Sequence, residues 1–305
     1  KKKRRDRKRI FLLLLPILLF SILFIYYPFV KTVVNAFSRV NAKGVIKGFA
    51  GLDNFRYTFT RKDFLPALKH TLTIALINVP ITLVITLSLA LLANKKRKLS
   101  GVYETLFTLP MSVSMSAACM IFKSMFSPSV GFVNSFFGLK LGWFESADTA
   151  LATCIILTVW MGIGFDFLLM LSALRGIPKH IMEATYVDGI SVWRRIFFVQ
   201  IPLISPTIFY VFCTNLVLAM MTSAPMIIIM GISAESGATN TLMSMMYQSG
   251  FSSSDYGLAA VLSLTAFVLT LGFTILSFVF EKNTSPSLSQ KSPALYRLPA
   301  VLPFT

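Results

Sequence analysis

The sequence predicts an all-α polytopic membrane protein with six transmembrane helices, and three observations carry that prediction. Of its 305 residues, 55% are hydrophobic and only 13% charged, with a mean hydropathy of +0.72, too apolar for the water-facing surface of an ordinary soluble domain. A hydrocarbon core of about 30 Å requires roughly 20 helical residues, and six apolar stretches reach that length: Ile10–Phe37, Thr71–Asn94, Thr105–Phe126, Thr149–Leu174, Ile201–Met230 and Tyr256–Phe280. The formal charge of +17 is concentrated in short runs beside those stretches, with no basic face interleaved with base-stacking aromatics. It therefore reads as membrane orientation and not as nucleic-acid binding.

Residues 1–9, "KKKRRDRKR", form a basic N-terminus. The apolar stretch 10–37 comes after it in the order of a secretory signal, but it is too long and no small-residue cleavage site succeeds it, so it is read as the first span. Residues 38–70 form an extracytoplasmic segment, and residues 71–281 carry the other five spans. Lys95 to Lys98, the loop 175–200 and the tail fall on the side of the N-terminus, whereas Gly231 to Asp255 contains no Lys or Arg. The basic side is the cytoplasm, which places both termini there. Basic residues between Ser38 and Leu68 weaken that bias without reversing it. Residues 282–305 are rich in Ser and Pro without helical period and are predicted to be disordered. No internal repeat supports the inverted halves of many secondary transporters.

Cys119, Cys154 and Cys213 each lie inside an apolar run and read as small hydrophobes, so neither disulfides nor zinc are expected. His70 and His180 are the only histidines and are far apart, so no metal site is predicted. No nucleophile motif or paired carboxylates suggest a membrane enzyme.

The loop 175–200 is longer than a connection requires. Pro178 suits a first helical turn and Gly189 the left-handed position past a helix end, with about ten helical residues between. His180, Glu183, Ala184 and Val187 then share one face. Ser191 can cap a second helix, and Pro202 breaks that helix near the start of the fifth span. Helix, glycine turn and helix make a rigid knuckle, its acidic Glu183 and Asp188 facing the compartment where a soluble partner docks.

"EATYVDGI" and, further on, "QIPLISP" resemble the EAA motif of ABC importer permeases, with Glu183, Ala184, Asp188, Gly189, Ile201 and Pro202 matching and Thr185 and Ile190 in place of alanines. "GLDNF" (51–55), "LLANKKRKLSGVYETLFTLP" (91–110), "SPSVGFVNSFFG" (127–138) and "SGFSSSDYGLAA" (249–260) are similar to binding-protein-dependent sugar permeases of the MalF/UgpA-like family. The resemblance implies the ABC type I importer permease fold with a cytoplasmic coupling helix, in a bacterial inner or plasma membrane. It implies a homologous second permease (MalG/UgpE-like), two cytoplasmic ABC ATPase subunits and an extracytoplasmic solute-binding protein that delivers a sugar. The chain has no G-x-x-x-x-G-K-[ST] loop. It is thus expected to be no enzyme and to hold no cofactor, ATP and Mg being bound by the partner ATPases. Glu183, Ala184, Asp188, Gly189, Ile190 and Pro202 would couple it to them.

Asp166, Asn215 and Asn78 are polar residues inside spans and are candidates for the substrate path, the alternative for each being a helix-to-helix hydrogen bond. Asn78 lies beside Pro80 and could satisfy backbone freed by a kink. Lys123 near the outer end of the third span reads as a snorkelling residue. Within the same fold the cargo could instead be glycerol phosphate, a polyamine or another small solute. A channel or ion-coupled carrier is the alternative of a different class, and it leaves the knuckle without a purpose.

Overall fold

The computed structural model describes residues 13–95, 97–144, 147–222, 225, 227–228 and 239–284. The basic N-terminus, residues 231–238 of the loop without Lys or Arg, and the tail beyond residue 284 lie outside the described residues.

The chain runs α1 (Leu13–Ala36), a short antiparallel hairpin β1 (Ser38–Val40) and β2 (Ile46–Phe49), α2 (Asp53–Thr60) and α3 (Phe64–Asn94). It continues through α4 (Ser100–Ser112), α5 (Met115–Met125), α6 (Phe132–Phe137), α7 (Ala147–Arg175) and α8 (Lys179–Val187). The remaining helices are α9 (Val192–Leu203), α10 (Ser205–Met220), α11 (Leu242–Tyr247) and α12 (Tyr256–Thr284). Helices α1, α3, α7 and α12 are long and apolar enough to cross a membrane, and the bent pairs α4–α5 and α9–α10 bring the number to six if each counts as one span.

The bends refine the expected third and fifth spans. α4 and α5 meet at 103°, because Val113 and Ser114 leave the helix in extended conformation and the Ser114 hydroxyl accepts from the Ala117 N–H to cap a new helix. α9 and α10 meet at 69° around Ile204. Pro206 supplies no N–H and fits only the first turn of α10, so the ladder of α9 stops before it. The last helix runs to Thr284, three residues into the stretch expected to be a tail. Apolar length did not announce the hairpin. Asn41 closes it by accepting from the Lys43 and Val45 N–H groups through Oδ1, and Gly44 takes φ +75°.

α3 is the hub. Ile74, Val79, Cys154, Val159, Leu216 and Met220 pack α3 on α7 and α10, while Ala90, Phe167, Met170, Leu174 and Val211 continue that core toward α8. Phe122 on α5 and Phe126 just past its end pack against Leu157 of α7 and around Trp143 and Trp160. All three cysteines are free thiols, Cys119 and Cys154 fully buried as small core residues. At the hairpin end, the Asn54 amide donates to the carbonyls of Ala36 and Ser38 at 2.9 Å each, tying α2 to the end of α1. Gly257 lets α12 pass there, since a Cβ would sit 3.2 Å from that same amide.

The crossing of α4 and α7 is tightest at Gly164, where an added Cβ would lie 2.8 Å from the Met111 backbone nitrogen and 3.1 Å from the Thr108 carbonyl oxygen. Backbone atoms cannot rotate away, so Gly164→Ala is expected to force the helices apart and cost about 1–3 kcal/mol. Thermal unfolding of the detergent-solubilised protein reads this as a lowered Tm; an unchanged Tm would mean the crossing has slack.

Candidate functional site

The knuckle predicted between the fourth and fifth spans is present as α8, a turn and α9. Pro178 is the residue capping α8 in extended backbone, one position before its first turn. Past the other end Gly189 takes φ +62°. The Ile190 N–H bonds the Thr185 carbonyl at 3.1 Å and the Gly189 N–H bonds the Tyr186 carbonyl at 3.2 Å. This pair of bonds is the Schellman motif, which satisfies carbonyls that a helix end otherwise leaves open.

Exposure sorts the faces of α8. Thr185, in place of an alanine of the EAA pattern, is buried at 5% and turns its hydroxyl back to the Met182 carbonyl. His180, Glu183, Ala184 and Val187 are all exposed, as is Asp188, and Val187 reaches 87%. The face shared by those four residues thus points away from the bundle. α9 is joined to α8 by Arg195, whose guanidinium lies 4.1 Å from the Tyr186 ring centre, and by the buried Gln200, whose amide reaches the Met182 sulfur at 3.9 Å. Ser191 occupies the capping position of α9, but its hydroxyl makes no capping bond. Ile190 and Ile201 are half-buried. Pro202 is exposed, and just before it the helix widens into a π turn, with the Ile201 N–H bonded to the Ile196 carbonyl.

A second feature anchors the base of α8 and was not singled out from the sequence. Arg175, ending α7, forms a two-pronged pair with Glu104 of α4 at 2.6 and 3.1 Å and also donates to the Ala93 carbonyl at the end of α3 at 3.3 Å. Three helix ends are thus held at the point where α8 begins. The sequence signal is faint: a lone acid in an apolar helix and a lone Arg ending another.

The candidate path residues lie together in the core where α3, α7 and α10 meet. Asp166 is 5% exposed and Asn215 6%, and the Asn215 amide donates to the Asp166 carboxyl at 2.6 Å and to the Val211 carbonyl at 2.9 Å. Asn78, also buried, donates to the Thr158 hydroxyl at 2.5 Å and accepts from Thr82 at 3.0 Å. Its side chain therefore serves neighbouring side chains and not the backbone near Pro80. Gly162 stands between the two groups, since a Cβ there would meet the side chains of Thr82, Asn215 and Asp166. Each polar group sits in a helix-to-helix bond. Lys123 lies in the last turn of α5, exposed. Among the described residues no cluster of metal-ligating side chains occurs.

Comparison with known proteins accounts for this arrangement. The profile of the family described as "Binding-protein-dependent transport system inner membrane component" matches residues 82–289. The chain is 30% identical over 277 residues to "sn-glycerol-3-phosphate transport system permease protein UgpA" of Pectobacterium atrosepticum, covering 90% of this chain and 94% of that one. It is 28% identical to the protein of the same name from Escherichia coli strain UTI89, over 92% of this chain and 96% of that one. Its fold matches a chain of a bacterial alginate ABC transporter crystallised with an alginate pentasaccharide-bound periplasmic protein, at TM-score 0.81 and 22% identity over 92% of this chain and 96% of that one. A bacterial ABC transporter involved in alginate import gives TM-score 0.83 at 21% identity, over 93% of this chain and 100% of that one. With more than half of its length matched by the family profile and its helices arranged as in the importer permease fold, the chain belongs to the inner-membrane components of binding-protein-dependent transport systems, the permeases of ABC importers.

Proposed function

We propose that this permease carries a carbohydrate across the inner membrane with both termini in the cytoplasm, and that α8 is the helix through which ATP hydrolysis in partner subunits drives it. The observation that carries this reading is the projecting face of α8, exposed at His180, Glu183, Ala184 and Val187 and held at a fixed angle by the Gly189 turn. The working complex pairs the chain with a homologous second permease, two cytoplasmic ATPase subunits that bind ATP and Mg, and an extracytoplasmic solute-binding protein. The chain has no phosphate-cradling loop of its own and performs no catalysis. Glu183 makes charge-assisted hydrogen bonds in the cleft of an ATPase subunit. Closure of the ATPases then moves α8 with α9, to which the Arg195–Tyr186 contact binds it, and with the end of α7, which the Arg175–Glu104 pair ties in turn to α4.

Glu183→Ala in the reconstituted complex is expected to lower uptake and binding-protein-stimulated ATP hydrolysis together, by about tenfold for a lost charge-assisted bond. Unchanged uptake and stimulation would remove α8 from the coupling path. A second reading of the cargo has support in the relatives named for sn-glycerol 3-phosphate. Titrating the cognate solute-binding protein with neutral sugars and with sn-glycerol 3-phosphate separates the two.

A further inference from the structure

At the hairpin end of the bundle, opposite α8, three stretches distant in sequence line a half-open cavity of about 330 Å³. Tyr57 and Arg61 line it from α2 and the turn after it, Asn240 and Gln248 from the segment around α11, and Asp255 from the loop leading into α12. The "SGFSSSDYGLAA" stretch, which carries part of the family resemblance, forms one wall.

The wall is rigid and irregular. Gln248–Ser252 is a π turn, and Ser254 at φ +53° is the one non-glycine residue with positive φ among the described residues. Asp255 is fixed on both sides, its N–H on the Ser249 carbonyl at 2.8 Å and its Oδ1 accepting from the Leu258 N–H at 3.0 Å. Such backbone concentrates at places where side chains are aimed at a ligand.

The chemistry of the lining selects the ligand. Arg61 is paired: it donates to both Asp63 oxygens at 2.9 and 2.7 Å and to the Tyr57 hydroxyl at 3.2 Å, and its guanidinium holds the Asp63 carboxyl below the usual carboxylate range. Among the described residues of the lining, Asp63 and Asp255 together outweigh the charge of Arg61, which disfavours a phosphate. The groups left among the described residues are mixed: the Tyr57 hydroxyl proton and the Asn240 amide donate, while the Gln248 carbonyl and the second Asp255 oxygen accept. Hydroxyl groups, which both donate and accept, match that set, and the exposed Tyr57 ring offers an apolar plane beside it. We propose that this cavity is a second solute site, on the outer face, that takes a neutral hydroxyl-rich molecule of mono- or disaccharide size before it enters the membrane. The proposal rests on the orientation and cargo class given above.

The test is saturation-transfer NMR on the purified permease–ATPase complex without its binding protein, probed with glucose, maltose and trehalose and separately with sn-glycerol 3-phosphate. At least one sugar is expected to give a saturable signal and the phosphate ester none. Tyr57→Ala and Gln248→Ala, at an exposed and a half-buried position, are each expected to weaken the signal about fivefold, the scale of one hydrogen bond. No sugar signal, a stronger signal from the phosphate ester, or a sugar signal untouched by both substitutions overturns the site. Loss of binding-protein affinity in the variants without any sugar signal assigns the cavity to protein docking and also overturns it. A sugar signal lost in the variants, in a complex that imports a non-carbohydrate, leaves the site standing and refutes the cargo reading. Normal sugar uptake with no signal refutes the site alone.

Discussion

Leucine in place of Gly189 is expected to lower solute uptake about tenfold while the protein still inserts in the membrane at its normal level. Gly189 stands at φ +62°, and nothing lies within 4 Å of where a Cβ would be, so the substitution meets no clash. The penalty is purely conformational, about 1–2 kcal/mol for an L side chain in left-handed backbone, enough to depopulate the turn roughly tenfold. The bonds from Gly189 to Tyr186 and from Ile190 to Thr185 then open together, and α8 loses its fixed angle to α9. Asparagine tolerates left-handed backbone, so Gly189→Asn is expected to keep most of the uptake. Membrane abundance, uptake and ATP hydrolysis measured side by side in reconstituted vesicles check this; equal uptake in the leucine and wild-type proteins would show that the turn transmits nothing.

The second large effect is expected at the centre of the bundle. Asn215→Leu leaves the Asp166 carboxyl, 5% exposed, without the amide now 2.6 Å from it. A buried group left unpaired on losing a charge-assisted bond costs about 2–3 kcal/mol, which thermal unfolding in detergent reads as a marked fall in Tm. Replacing both residues by leucine removes the stranded group as well as its partner, so the double variant is expected to be more stable than Asn215→Leu alone. That non-additivity is the signature of a direct pair. A double variant whose loss equals the sum of the single losses would show that the two residues act independently.

The features legible in the sequence are those governed by neighbours in the chain. Apolar runs of bilayer length and the glycine that ends α8 act within a turn or two, through hydration and left-handed backbone; Pro202, expected to break the helix, lies instead inside α9, which runs on to Leu203 and bends at Ile204 before Pro206. The bend between α4 and α5 was less visible because hydropathy averages over Val113 and Ser114, although the cap on Ala117 is itself a local signal. Asn78, Asp166 and Asn215 stood out as polar residues in apolar helices, but their partners could not be named from that. The Asp166–Asn215 bond joins residues 49 apart and the Arg175–Glu104 pair residues 71 apart.

By itself, then, the sequence determined that this chain must live in a bilayer, how many apolar segments it has and where a rigid knuckle interrupts them, because solvation and backbone sterics act on consecutive residues. Tertiary structure alone decided that Arg175 clamps three helix ends, that Asp166 is matched to Asn215 and that a polar cavity forms from α2, α11 and the start of α12. Those outcomes depend on how closely helices cross, which is set where small residues such as Gly164 and Gly257 let backbones approach, and a crossing is a property of two segments at once.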